Sequence, residues 1–310
     1  MLPTDRFVGP ERDFVGYGRH APRAVWPRGA HCAVNMVICY EEGSEYSLLE
    51  GDGRNEGWGE YATQMGPEVR DLGTETHFEY GSRAGIWRLA RIFERLQVPV
   101  TLSACARALE RNREVAAWIV EKGHDILGHG LRWSEYWTMP REEERRQLHA
   151  AIALYRDLTG MRPEGWNCRS IPSVNTRDLI VEEGGFLYYS DPCNDDLPYF
   201  VPMGDKPLLV VPYSKTLNDS RYLVSPGYAE PGDFVACCKA AVDHVLWEAP
   251  EIGGRMLTIA LHARWSGQPS RADAVRRILD YGLSRDGVIF MHRNAIARHW
   301  LDHHAGFARG

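Results

Sequence analysis

Short apolar runs rich in Val, Ile, Leu and Tyr recur along the chain: CAVNMVIC (32–39), VPVTLSA (98–104), HDILGHG (124–130), EGWNC (164–168), FLYYSD (186–191), LLVVPY (208–213), MLTIALHA (256–263) and VIFMH (288–292). Each has the length and composition of a buried strand. Between many of them the apolar positions switch to helical spacing. The clearest case is Pro140 to Leu158, where Thr138 can cap and Glu142, Glu143 and Glu144 sit at the positive N-terminal end. Leu148, Ile152 and Tyr155 then form one apolar face, and Gly160 supplies the stop. Further helices are expected over Ala84–Leu96, Val115–Lys122, Asn175–Glu183, Asp233–Glu248 and Ala272–Leu283.

Strand and helix alternate throughout, which argues for parallel strands joined by helical crossovers, in a doubly wound sheet or a barrel. No Pro-, Ser- or Gly-rich linker, internal repeat or low-complexity tract divides the 310 residues, so a single domain is expected. Two segments lack periodicity: an N-terminal arm over 1–30 and a Gly-rich insertion over about 52–77, which suits a lid or an interface.

The polar residues gather where the runs end. Glu41 and Glu42 follow the first, His129 ends HDILGHG, Arg169 follows EGWNC, Asp191 follows FLYYS, Tyr213 follows LLVVP and His262 ends MLTIALH. In parallel α/β proteins ligands bind at the C-terminal ends of strands, so these residues converge on one rim. The adjacent carboxylates of Glu41 and Glu42 are the most telling. Charge at the edge of an apolar interior is costly unless it is paired, hydrogen-bonded or metal-bound.

Composition narrows the partners. A hydrophobic content of 44% supports a sizeable core. The net charge of −6 gives no basic field for a nucleic-acid backbone or an anionic membrane, so a small or neutral ligand is expected, with no nucleic acid and no membrane. With no apolar h-region near the start and no run of 18 apolar residues, a cytoplasmic protein is expected. Seven cysteines without CxxC spacing read as reduced core residues.

Seven segments, in order, carry a family resemblance: YEEGSE, EYGSRAGIWRLARIF, HGLRWSEY, DDLPYF, VVPYSKTLNDSRY, LHARWSGQPSRA and IARHW. The chain resembles the polysaccharide deacetylase (NodB-homology) superfamily from about Ala33 to Trp300, and within it the branch of cofactor-independent allantoinases and related cyclic amide or imide hydrolases. The resemblance implies an α/β fold, a distorted (β/α)7 barrel with one active site at its C-terminal face. It also implies a homo-oligomer.

Metal-dependent members carry an Asp pair after the first strand, the first a base and the second a ligand, and two histidines in an H-x-x-x-H segment. Here Glu41 and Glu42 replace the pair, and in HGLRW only His129 survives, with Trp133 at the second position. One imidazole and a displaced carboxylate are a poor zinc set, so no metal cofactor is expected; the alternative is zinc retained through a substitute ligand such as Glu135. An imide or hydantoin needs less electrophilic help than an N-acetyl amide, because a second carbonyl stabilises its leaving nitrogen.

The resemblance implies Glu41 or Glu42 as general base, with one pKa of the pair raised, and His262 as acid. Asp191 is expected to orient an imidazole, and His129 and Arg169 to hold a carbonyl or the base. Trp133, Trp166 and Tyr213 would wall a flat ring, while Asp195 and Asp196 read equally as a turn. The loop around Arg169 (GWNCRSIPSVNTR) and Gln268 in LHARWSGQPSR depart from the allantoinase pattern, so another hydantoin or cyclic imide stands close behind allantoin. The competing classes are a zinc-dependent N-deacetylase of N-acetylated sugars and a non-catalytic binding relative.

Overall fold

The computed structural model of the protein describes residues 9–60, 65–204 and 206–309. Residues 61–64 of the predicted insertion lie outside them. The sheet is built around β1 (Cys32–Tyr40), all nine of whose residues are buried. Its neighbours are β2 (Val100–Ala104) on one side and β8 (Arg255–His262) on the other, all parallel. From β2 the sheet continues through β3 (Asp125–Gly128), β4 (Gly165–Trp166), β5 (Tyr188–Tyr189) and β7 (Leu208–Val210). A short β6 (Tyr199–Val201) runs antiparallel at that edge, and β9 (Val288–Phe290) pairs with the start of β1.

This is the expected single-domain α/β fold, a seven-strand barrel left open between β7 and β8. The chain after β7 fills that gap: Ala260 N–H donates to the Leu217 carbonyl at 2.9 Å, and Asn218 bridges to Ala260. The inside is partly polar. Arg293, wholly buried, donates to Asn35 Oδ1 (3.0 Å), Thr258 Oγ1 (2.9 Å), Ser190 Oγ (2.8 Å) and the Val211 carbonyl (2.8 Å). A buried guanidinium is tolerable only when so many acceptors replace its water.

The helices are α1 (Leu72–Tyr80), α2 (Ile86–Leu96), α3 (Ala106–Arg111), α4 (Arg113–Lys122), α5 (Arg141–Thr159), α6 (Thr176–Glu183), α7 (Pro231–Ile252), α8 (Ala263–Ser266), α9 (Pro269–Leu283) and α10 (Arg293–His303). Two corrections to the sequence expectation are physical. Pro140, not Thr138, occupies the N-cap of α5, and the Thr138 hydroxyl donates to the Glu135 carbonyl instead. Gly160 does end α5, in the left-handed region at φ 70°. The insertion is not irregular to its end, because α1 begins at Leu72 behind an Asp71 cap that accepts from Thr74 N–H at 3.0 Å. A π-turn over Gly81–Gly85 joins α1 to α2.

Candidate active site

Strand ends place the reactive groups. Glu41 follows β1, His129 follows β3 and His262 ends β8, so three parallel strands within the run β3-β2-β1-β8 deliver them to one mouth. The His129 ring Nε2 lies 3.2 Å from Glu41 Oε1, and His262 Nε2 lies 3.6 Å from the same oxygen. Each imidazole is fixed through its other nitrogen. His129 Nδ1 faces the Asn167 carbonyl at 3.0 Å, and His262 Nδ1 faces Asp219 Oδ1 at 2.6 Å. Such partners set the tautomer and leave Nε2 directed at the carboxylate.

Asp219 is held in turn: its Oδ2 accepts from the His262 backbone N–H (2.7 Å) and the Ser266 hydroxyl (2.6 Å). The role expected of Asp191 thus belongs to Asp219. Asp191 Oδ1 accepts from Cys168 N–H at 2.6 Å and Asn167 Nδ2 at 3.0 Å, ordering the loop after β4. Burial raises its carboxyl to about 6.

The second oxygen of Glu41 meets a residue the sequence reading passed over. Arg264, wholly buried, brings Nη1 to 2.8 Å from Glu41 Oε2 and 3.6 Å from Glu42 Oε1, close in charge although not aligned as a hydrogen bond. Its guanidinium carbon lies 4.3 Å from the Phe78 ring centre, 4.3 Å from Trp265 and 5.1 Å from Trp133. These aromatic faces substitute for water around the cation. The only sequence signal was its place two residues beyond His262, at the exit of the same strand.

Glu41 and Glu42 are therefore not equivalent. Glu42 turns away from the mouth, accepting from Glu41 N–H at 2.8 Å and Arg264 N–H at 3.2 Å. Burial raises the Glu42 carboxyl, helped by the charge of Glu41 and opposed by Arg264. Burial opposes ionisation of Glu41 too, but Arg264, His262 and His129 outweigh it and hold that carboxyl well below the usual range. The raised carboxyl expected of the pair is thus the one facing away. For His262, burial disfavours the charged ring, yet Cys39, Asp219 and Glu41 raise its pKa well above the ordinary value. Both shifts favour a carboxylate facing an imidazolium.

Around this pair lies a cavity of about 360 Å³, a volume suited to a small molecule. Glu41, His129, Trp133, Asp191, Tyr213 and His262 line it with Cys39, Cys168, Trp58, Trp265, Asn218, Lys215 and Arg221 among others. Three residues expected there do not. Trp166 is core, packed edge-on against Tyr136 and Phe186. Arg169 is consumed by Glu56, which it meets through two hydrogen bonds of 2.8 and 2.7 Å, while it stacks 3.8 Å over Trp133. Glu42 backs the site from behind. Asp195 takes the turn reading, its Oδ1 accepting from Leu197 N–H at 3.0 Å, and with Asp196 it faces a separate cavity. The expectation that every cysteine is core fails at Cys193, which is exposed, and at the half-buried Cys237; Cys39 and Cys168 are buried as expected and also reach the cavity wall.

A zinc ion does not suit this donor set. Glu42 is turned away, Trp133 offers no lone pair, and Glu135 pairs with Arg54 at 2.8 Å. Cys39, Glu41 and His262 do present donor atoms within 4.8 Å of one another. That carboxylate, however, already faces the Arg264 guanidinium at 2.8 Å, so a dication would sit beside a fixed like charge.

Residues 75–175 match the polysaccharide deacetylase family model. A putative polysaccharide deacetylase of Schizosaccharomyces pombe is 33% identical over 94% of this chain and 98% of its own length. Among solved structures, a probable polysaccharide deacetylase from Pseudomonas aeruginosa PAO1 superposes with a TM-score of 0.91 at 42% identity, covering 95% of this chain and 99% of that one. PuuE allantoinase does so with 0.91 at 40% identity, covering 96% and 99%.

Proposed function

Because the chain belongs to the polysaccharide deacetylase family of hydrolases, we propose that its site opens a cyclic amide, hydantoin or imide ring without a metal, with allantoin the leading candidate. The observation that carries this reading is Glu41, set between two oriented imidazoles on one oxygen and the caged Arg264 on the other. The fixed cation takes the electrostatic place that a metal would otherwise fill. Support for allantoin itself is the likeness to PuuE allantoinase.

Water beside Glu41 attacks a ring carbonyl, and the carboxylate receives its proton as the attack makes that water acidic. The low pKa of Glu41 makes it a weak base at rest, so the transfer falls late, when the oxygen already bonds carbon. His262 carries the other proton. Its Nε2–H is directed at the site by Asp219, and its raised pKa keeps it loaded at neutral pH, ready for the departing ring nitrogen. That nitrogen's charge is shared with its second carbonyl, so positioned proton transfer of roughly 10²- to 10⁴-fold per group lowers the barrier. Trp133, Trp265 and Tyr213 offer flat walls to a ring.

The test is a panel of allantoin, hydantoin, dihydrouracil and succinimide, assayed with and without a chelator. Ring opening of at least one member, undiminished by the chelator, is expected. The runner-up is the N-deacetylase, favoured by the names of the family relatives. Acetate release from N-acetylated sugar oligomers with no ring opening, or activity lost on chelation and restored by zinc, would establish it instead.

A further inference from the structure

Cys39 and His262 are register partners on β1 and β8, so both side chains emerge on the same face of adjacent strands. The Cys39 Sγ, a ring nitrogen of His262 and an oxygen of Glu41 lie within 4.8 Å of one another, and the Tyr213 hydroxyl is 3.5 Å from the sulfur. His262 is in turn oriented by Asp219 at 2.6 Å. Thiol, imidazole and carboxylate thus lie in the order of a nucleophile, its base and the base's orienter, the sulfur within 4.8 Å of the ring nitrogen while its hydrogen-bond partner is the Tyr213 hydroxyl. The proposed water mechanism leaves this sulfur unused. It nevertheless faces the substrate cavity, at 4% exposure.

Cys168 supplies the contrast within the same cavity. Its sulfur lies 4.0 Å from the Thr176 hydroxyl, and burial together with the charges of Asp191 and Glu144 pushes its thiol well up. Cys193 is exposed, with its thiol donating to the Asp191 carbonyl at 3.5 Å and its pKa raised by burial, and it serves as the surface thiol for comparison.

We infer that Cys39 is a nucleophile in the ring pocket, and that α,β-unsaturated cyclic imides, of which maleimide is the simplest, are captured there covalently. The pocket's preference for the imide ring rests on the reading of the site proposed above; the reactivity of the thiol does not. His262, in the minor form that lacks its Nε2 proton, takes the thiol proton. The thiolate adds to the ring's alkene carbon, forming the S–C bond while the π electrons move onto the imide as an enolate. His262 returns the proton to the adjacent carbon. Nothing leaves, and neither oxidant nor reductant is needed.

The experiment is limited labelling of the intact protein with maleimide and, separately, with iodoacetamide, followed by peptide mapping. Labelling of Cys193 in the same sample is the internal reference. Cys39 is expected to label with both reagents while Cys168 stays free, and its rate relative to Cys193 should be at least tenfold greater with maleimide. Succinimide should protect Cys39 and leave Cys193 unaffected. In His262→Gln, Cys39 labelling should slow at least tenfold with Cys193 unchanged, and Cys39→Ser should abolish the pocket label. No label on Cys39 in the wild-type protein, or labelling indifferent to His262→Gln, overturns the nucleophile. Labelling of Cys39 by both reagents at equal relative rates keeps the nucleophile but overturns capture of the imide ring, and with it weakens the ring-opening reading.

Discussion

Asp219 sets how His262 works, because its carboxylate both holds the ring's Nδ1 and favours the imidazolium. A group whose pKa is raised keeps its proton below that value and loses it as pH climbs through it. The acid function should therefore persist through neutral pH and fail only on the alkaline side. Asp219→Asn removes the negative charge, so the alkaline limb of kcat/KM should move to lower pH; an unmoved limb would assign that limb to another group. Glu41→Gln and His262→Ala should each lower kcat by roughly 10²- to 10⁴-fold with the fold intact by circular dichroism. Retention of most activity in both would remove them from the proposed chemistry.

At the scale of elements, the site depends on how closely the π-turn over Gly81–Gly85 approaches α8. A Cβ on Gly267 would stand 2.1 Å from the Ala263 carbonyl oxygen and 2.4 Å from the Gly85 Cα. One on Gly81 would stand 2.3 Å from Glu42 Oε1. Gly267 lets backbone meet backbone beside Arg264, and Gly81 leaves room for the buried Glu42 side chain. Gly267→Ala should destabilise the protein by about 1–3 kcal/mol through overpacking, measured by denaturant unfolding, and should reduce turnover as Arg264 is displaced. An unchanged midpoint would show that the contact relaxes freely.

Across the whole molecule, one ion pair ties the insertion to the barrel. Glu56 and Arg169 lie 113 residues apart and are almost wholly buried, with two hydrogen bonds between them. Removing one partner leaves an uncompensated buried charge. Glu56→Gln is therefore expected to cost about 3–5 kcal/mol, read from unfolding midpoints, and to raise KM as Trp58 and the Trp133 wall lose their support. A change below about 1 kcal/mol would show the pair to be well solvated, as surface pairs are.

The alternation of apolar runs and helical patterns was enough to determine a parallel α/β fold, because burying both faces of each strand leaves its mark at every position, whereas the barrel rather than a doubly wound sheet was implied by the family resemblance. Strand-end residues such as Glu41, His129 and His262 were legible for the same reason: where a strand ends, its side chains reach the rim. The partners of those residues were not. Asp219 comes from the segment that fills the open side of the barrel and reaches His262 because Asn218 bridges to Ala260 of β8; Arg264, from the turn beyond β8, meets Glu41 because β1 and β8 pair. Arg169 stood at a strand end like the others, yet Glu56, from a segment without periodicity, claimed it. Which of two adjacent carboxylates faces the ligand was likewise a tertiary decision. Backbone donors and a glycine-lined wall took Glu42 inward, while two imidazoles and a caged guanidinium held Glu41 at the mouth. Sequence pattern records burial and period, which are local; charge pairing across hundreds of residues is decided by distance in space.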